Sequence, residues 1–149
     1  MQLALLVGCL SRYLDAPYVL STGLPPILQL QSSEHALWAQ TAAGTYKIDG
    51  SGAATLVSNA PITQVEAEIA LPAAAGSSLA TAIDAKGRTY FVRDGDEPAL
   101  FRVDGEQTTL IAEWLGPVTD MTFGSGGLLP PENLYLSRSD GVVAYLRPP

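Results

Sequence analysis

The sequence predicts an all-β fold made of repeated antiparallel sheets, and two observations support that prediction. The stretches "TYKIDGSGAATLV", from Thr45, and "LFRVDGEQTTLIA", from Leu100, share one pattern: an apolar-basic-apolar strand, Asp-Gly, a polar turn and a second strand with Thr-Leu. The segments between turns are short and rich in Val, Ile, Thr, Tyr and Phe, which is typical of strands. Charged and apolar residues alternate within them, as in a strand with one buried face.

Composition restricts the class of protein and of partner. A chain of 149 residues with 47% apolar and 15% charged residues fits one packed domain. The net charge of −7 and the scattered basic residues argue against a nucleic-acid partner, because phosphate contact needs clustered Lys and Arg. With one cysteine, the chain has neither a disulfide framework nor a Cys-based zinc site. No apolar stretch is long enough to predict a transmembrane span.

The repeat divides the chain into units of similar content. Three segments join a Leu-containing apolar run to Pro and a β-branched residue: "VLSTGLPPI", "TLVSNAPI" and "TLIAEWLGPV". They predict blades at about residues 17–58, 59–112 and 113–149, preceded by a separate segment at residues 1–16. Units of this length are typical of propeller blades. We therefore expect an all-β, propeller-like array of about three antiparallel four-stranded blades.

Several motifs resemble the blades of known propellers. The stretch "AIDAKGRTYFVRDG", from Ala82, is similar to the repeats of NHL-repeat proteins and of the senescence marker protein/gluconolactonase-like family. The closing stretch "GPVTDMTFGSGGLLPPENLYLSRSDGVVAYL" is similar to the last blades of that group, and "LWAQT" resembles a strand of the low-density-lipoprotein-receptor type of blade. The resemblance covers about residues 18–147 and implies a partial six-bladed β-propeller.

Three units cannot close a ring, because propellers close with roughly 4 to 8 blades. An open array would leave sheet faces exposed. Three explanations stay open. The chain is part of a longer gene, two copies form a homodimer that completes six blades, or the ends are capped in another way.

The amino terminus resembles the bacterial lipobox, a Leu-x-Gly-Cys pattern at which a signal peptide is cut and the Cys is acylated. The motif is "LVGCLS", with Cys9 as the lipid attachment residue, and an apolar run precedes it. The run is short and "MQ" carries no positive charge, unlike a usual signal peptide. The alternative is a buried strand in which the thiol packs as a small hydrophobe. We favour the lipobox, and with it a bacterial cell-envelope or periplasmic location, lipid-anchored or secreted.

No catalytic set is evident. The single histidine, His35, lies in a polar turn and has no obvious Ser or Cys partner for nucleophilic catalysis. Asp120, in "GPVTDMTF", lies at the start of an expected innermost strand, where the resemblance to the gluconolactonase-like family implies channel-facing metal ligands. The equivalent positions in the other units hold Gln29 and Gln64, or Ser77 or Ser78 if the insertion shifts the second inner strand. None of these is a carboxylate, so a complete ligand set is not visible. The alternative role of Asp120 is to accept hydrogen bonds from backbone amides.

These observations lead to two functional hypotheses. We expect a non-enzymatic propeller-type binding or scaffold protein of the bacterial cell envelope, with an unknown protein or small-molecule ligand and no cofactor. The alternative is a metal-dependent lactonase or hydrolase of the gluconolactonase-like type, truncated or completed by dimerisation, in which a divalent ion such as calcium polarises the substrate carbonyl. The two large aromatic residues, Trp38 and Trp114, are expected to pack between sheets.

Overall fold

The chain forms short strands joined by tight turns, as the alternating pattern predicts. The computed structural model describes residues 17–59, 71 and 78–149. Within these residues there are twelve strands and no helix. The strands are β1 (Tyr18–Ser21), β2 (Ile27–Ser33), β3 (Ala36–Thr41), β4 (Gly44–Ile48), β5 (Ala54–Ser58), β6 (Ser78–Ile83), β7 (Thr89–Arg93), β8 (Ala99–Asp104), β9 (Gln107–Ala112), β10 (Val118–Phe123), β11 (Leu134–Arg138) and β12 (Val143–Leu146).

The strands form three antiparallel four-stranded sheets, which confirms the predicted propeller-like array of three blades. Sheet I has the order β2-β3-β4-β5, and sheet II has the order β6-β7-β8-β9. Sheet III has the order β1-β12-β11-β10, so the first of the described strands completes the sheet formed by the last three. The sequence did not predict this exchange. It means that sheets I and III are tied together by the chain between β1 and β2.

The two stretches that share one sequence pattern form equivalent hairpins. "TYKIDGSGAATLV" forms β4 and β5 of sheet I, and "LFRVDGEQTTLIA" forms β8 and β9 of sheet II. In both sheets these are the third and fourth strands. Each Asp-Gly pair marks the point where the third strand enters the turn, and Asp49 accepts hydrogen bonds through its carboxylate from the amides of Ser51 and Ala53. Short polar side chains stabilise tight turns in this way.

Sheet III lies between the other two sheets and is buried on both faces. β10 packs against both β6 and β2. On β11, Leu134 and Leu136 belong to the core shared with sheet II, whereas Tyr135 between them belongs to the core shared with sheet I. Successive side chains of a strand point to opposite faces, so this continuous apolar run gives sheet III two buried faces.

Sheets I and II each have a second face that points away from sheet III. On sheet II, Phe91 and Phe101 stack there with their ring centroids 5.5 Å apart, and the Arg93 guanidinium lies 4.2 Å from the centroid of the Phe101 ring. Ile83 and Leu110 on this sheet are about half exposed. The homodimer that would complete a six-bladed ring stays a prediction.

The link between β1 and β2 approaches the β11–β12 turn so closely that the turn needs a glycine. Gly141 has φ +81°, and its carbonyl accepts a hydrogen bond from the Leu24 amide at 3.2 Å. A Cβ at this position would lie 1.8 Å from the Leu24 carbonyl oxygen. Gly87 has nearly the same conformation, φ +80°, but no atom lies within 4 Å of the place of its Cβ. The two glycines therefore form a matched pair.

We expect Gly141→Ala to destabilise the protein more than Gly87→Ala. An alanine with left-handed backbone lowers the free energy of unfolding by about 1 kcal/mol, and this loss is common to both variants. The clash with Leu24 adds about 1–3 kcal/mol to Gly141→Ala only. Urea denaturation of the native protein and of the two variants measures both losses as changes in the free energy of unfolding. Equal losses in the two variants would show that the β1–β2 link does not lie against this turn.

The described residues contain no helix with the length and apolar character needed to cross a membrane. Cys9 and the rest of the lipobox-like segment lie outside the described residues.

Candidate functional site

A cleft of about 730 Å³ opens between sheets II and III, at the end where β7 leads into β8. Three segments form most of its walls. They are the β7–β8 loop at residues 94–98, the β9–β10 connection at residues 114–117, and the end of β11 with the first residue of the turn after it, 138–139. Loops carried at one end of a rigid sheet array are the usual place for binding residues.

Trp114 stands at this cleft in an unusual conformation. Its φ is +61°, in the left-handed region, although it is not a glycine. Its side chain is 55% exposed and lines the cleft. A bulky residue in this region costs roughly 1–2 kcal/mol, and such strain is found preferentially at functional sites. The next residue but one, Gly116, is also left-handed, with φ +75°.

Three carboxylates lie in the β7–β8 loop and make this side of the cleft negative. Asp94, Asp96 and Glu97 line the cleft, and they form no hydrogen bond or ion pair with any residue that the structure describes. The basic side chain on the cleft wall, Arg138, is paired through Nε and Nη2 with the carboxylate of Asp140. The positive charge of Arg138 is thus already compensated, whereas no described residue pairs with the carboxylates of the loop.

The two tryptophans are not placed as the sequence predicted. Trp114 does not pack between sheets, because more than half of it is exposed. Trp38 alternates along β3 with Leu37 and Ala39, which belong to the core with sheet III, so Trp38 points to the other face of sheet I. There its Nε1–H donates to the Ser33 carbonyl at 3.2 Å, and the Lys47 ammonium lies 5.5 Å from its ring centroid.

Asp120 lies in β10 and is buried, with 7% of its surface exposed. Its Oδ2 accepts a hydrogen bond from the Leu30 amide at 2.8 Å, and its Oδ1 accepts one from the Met121 amide at 2.8 Å. The first bond crosses from sheet III to sheet I. The carboxylate therefore joins the two sheets, which is the alternative role that the sequence analysis assigned to it.

The metal set expected from the family resemblance is not assembled in the described part of the chain. There, no three or more His, Cys, Asp or Glu residues come together in a way that could hold a metal ion. Gln29, the equivalent of Asp120 in sheet I, lies in β2, and Gln64 lies outside the described residues. His35 is exposed in the turn between β2 and β3, and its backbone amide donates to the Ser125 hydroxyl at 3.1 Å.

Comparison with protein-family models, with curated protein sequences and with solved structures finds no match to this chain. The propeller-like architecture is shown by the sheets themselves. Membership of the NHL-repeat or gluconolactonase-like families stays a prediction.

Proposed function

We propose that this chain is a non-enzymatic binding protein, and that its ligand is an organic cation with an apolar body held in the cleft between sheets II and III. The observation that carries the proposal is Trp114. More than half of this residue is exposed at a cleft, and its backbone lies in the left-handed region, where strain is found preferentially at functional sites.

The chemistry of the walls supports a cationic ligand. A cation over the face of an indole gains about 0.5–2 kcal/mol, more where water is excluded. Asp94, Asp96 and Glu97 add a negative field on the same cleft, and Arg138 does not oppose it because Asp140 pairs with its guanidinium. A neutral ligand would gain only from contact with the indole. An anionic ligand would be repelled by the carboxylates of the loop.

The size of the cleft supports a small molecule. Sites for small ligands occupy roughly 300–1,000 Å³, and the volume of about 730 Å³ lies within that range. Leu79 and Leu115 lie on the inner wall and give an apolar body a surface to contact.

Benzyltrimethylammonium is a suitable first probe, measured by isothermal titration calorimetry. We expect it to bind, and we expect Trp114→Gly to raise its dissociation constant about fivefold or more through loss of the cation–π contact. Glycine adopts φ +61° without strain, so this variant should keep or increase its stability, and lost binding would not reflect unfolding.

Trp38→Leu is the matched control, because it removes the other tryptophan from a remote face of sheet I. It should leave the dissociation constant unchanged. Benzyl alcohol, which has the ring but no charge, should not bind measurably. Equal affinity for the native protein and Trp114→Gly would overturn the proposed site.

We further propose that the protein acts in a bacterial cell envelope and is tethered by lipid at Cys9. The support is the "LVGCLS" motif alone. We expect the native protein expressed in a bacterium to partition with membranes and to incorporate labelled palmitate. Cys9→Ser should do neither, since it removes the acylated thiol. Unchanged membrane partitioning in Cys9→Ser would contradict lipid anchoring.

The metal-dependent lactonase is not our proposal. Both oxygens of Asp120 accept backbone hydrogen bonds, and nothing in the described residues gathers further carboxylates around it.

A further inference from the structure

A second pocket, of about 290 Å³, lies between sheets II and III at the end opposite to the cleft. Three cationic side chains line it, Lys86, Arg88 and Arg147, together with the aromatic rings of Tyr90 and Phe123. The chain has eight basic residues in all, so three of them meet at one place in a protein of net charge −7. Such a concentration is not expected from scattered surface charges.

The guanidinium of Arg88 is held through its Nε atom. Its Nε donates to Oδ2 of Asp84 at 2.7 Å, and the Tyr90 hydroxyl donates to the same oxygen at 3.2 Å. The Asp84 side chain is 8% exposed. Burial would raise the pKa of Asp84, but the backbone and side-chain hydrogen bonds from Arg88 and its positive charge together hold that pKa below its usual range. Asp84 is thus an ionised anchor that fixes the orientation of this guanidinium.

Arg147 is held in the same manner. Its Nε donates to Oδ1 of Asn133 at 3.2 Å. In both arginines the terminal Nη groups form no hydrogen bond or ion pair with the residues that the structure describes. Two arginines therefore line one pocket with their Nε atoms occupied and with terminal N–H donors that no described residue uses. Paired terminal N–H groups match the two oxygens of a carboxylate.

The wall of the pocket carries opposite charges in equal number, so unused donors and not net charge favour a carboxylate ligand. Asp84, Glu132 and, in the untagged chain, the terminal carboxylate of Pro149 lie on the wall against three cations. The Nε of Arg88 is paired with Asp84, and the charged donors left for a ligand are the terminal N–H groups of Arg88 and Arg147.

The remaining wall is apolar. The rings of Tyr90 and Phe123 meet edge to face with centroids 5.4 Å apart, and the rings of Pro131 and Pro148 lie on the same pocket. A site of about 290 Å³ is at the small end of the range for small-molecule ligands.

We propose that this pocket binds the carboxylate group of a small molecule with an apolar or aromatic body. The carboxylate would lie against the terminal N–H groups of Arg88 and Arg147, with the body against Tyr90, Phe123 and the prolines. The site is separate from the proposed cation cleft, since it lies at the other end of the sheets and is lined by other residues. Its ligand is independent of the function proposed above.

Benzoate tests this proposal by isothermal titration calorimetry, on protein without a carboxyl-terminal tag because Pro148 and Pro149 line the pocket. We expect millimolar or tighter binding, and we expect Arg147→Gln to weaken it about tenfold through loss of a charge-assisted contact. Arg147 is exposed, so this variant should fold. Lys47→Gln removes one positive charge from a remote face and should leave the dissociation constant unchanged.

Two further ligands test the proposed class. Benzyl alcohol, which lacks the charge, should bind much more weakly than benzoate, and so should inorganic phosphate, which lacks the apolar body. Absence of benzoate binding up to about 20 mM would overturn the proposal. So would phosphate that binds as tightly as benzoate, or equal benzoate affinity in the native protein and Arg147→Gln.

Discussion

Removal of β1 is expected to lower the free energy of unfolding by about 3–6 kcal/mol, which is a large part of the total stability of a domain. The comparison is between a chain that begins at Gly23 and one that begins at Pro17. β1 pairs with β12 and gives Leu20 to the core between sheets I and III. Without it, the backbone groups of β12 on that side lose their partners and the edge is exposed.

Guanidinium denaturation of the two truncated chains measures the difference. Because both lack residues 1–16, the difference belongs to residues 17–22 alone. A synthetic peptide of residues 17–22, added to the shorter chain, should restore part of the lost stability in a concentration-dependent way. Equal unfolding midpoints for the two chains would show that sheet III is complete without its first strand.

Asp120→Ala is expected to cost about 3 kcal/mol or more, because it leaves the buried amides of Leu30 and Met121 without their acceptor. Asp120→Asn keeps the shape of the side chain but has one acceptor oxygen where the native carboxylate uses two. Its amide nitrogen would face a backbone N–H, and we expect a loss of about 2 kcal/mol.

Asp96→Asn is the control for the change from carboxylate to amide, since Asp96 has no partner among the described residues. Its unfolding midpoint should not change. The metal-ligand hypothesis predicts a different result. If millimolar calcium raised the melting temperature of the native protein but not of Asp120→Asn, Asp120 would be a ligand and not a structural anchor.

Much of the fold could be predicted because the sequence patterns that identify its hairpins are local. The alternation in "TYKID" and "LFRVD" and the Asp-Gly turns identify hairpins without knowledge of the rest of the chain. The pairing of β1 with β12 is different. It joins Tyr18 to Tyr145 across the whole described chain, and a short strand such as "YVLS" carries no mark of its partner. Pairings of this kind depend on tertiary packing, which a single sequence does not reveal.

The candidate sites were harder to predict for physical reasons. Trp114 was expected to pack between sheets because burial of a large apolar side chain is favourable, but in the structure more than half of it is exposed, on left-handed backbone that the sequence does not reveal. A clue was present in "EWLGP", where Gly116 and Pro117 bend the connection between sheets. The sequence shows the carboxylates of "RDGDEP", but it does not show that they and Trp114 line the same cleft. The pocket of Arg88 and Arg147 likewise combines distant segments.

NMR titration with benzyltrimethylammonium shows directly whether the cleft beside Trp114 binds an organic cation. We expect the indole N–H signal of Trp114 and the backbone amide signals of Asp94, Asp96 and Glu97 to shift together as the probe saturates the protein. The indole signal of Trp38 should stay in place. Shifts centred on Trp38, or none at the cleft, would contradict binding at this site.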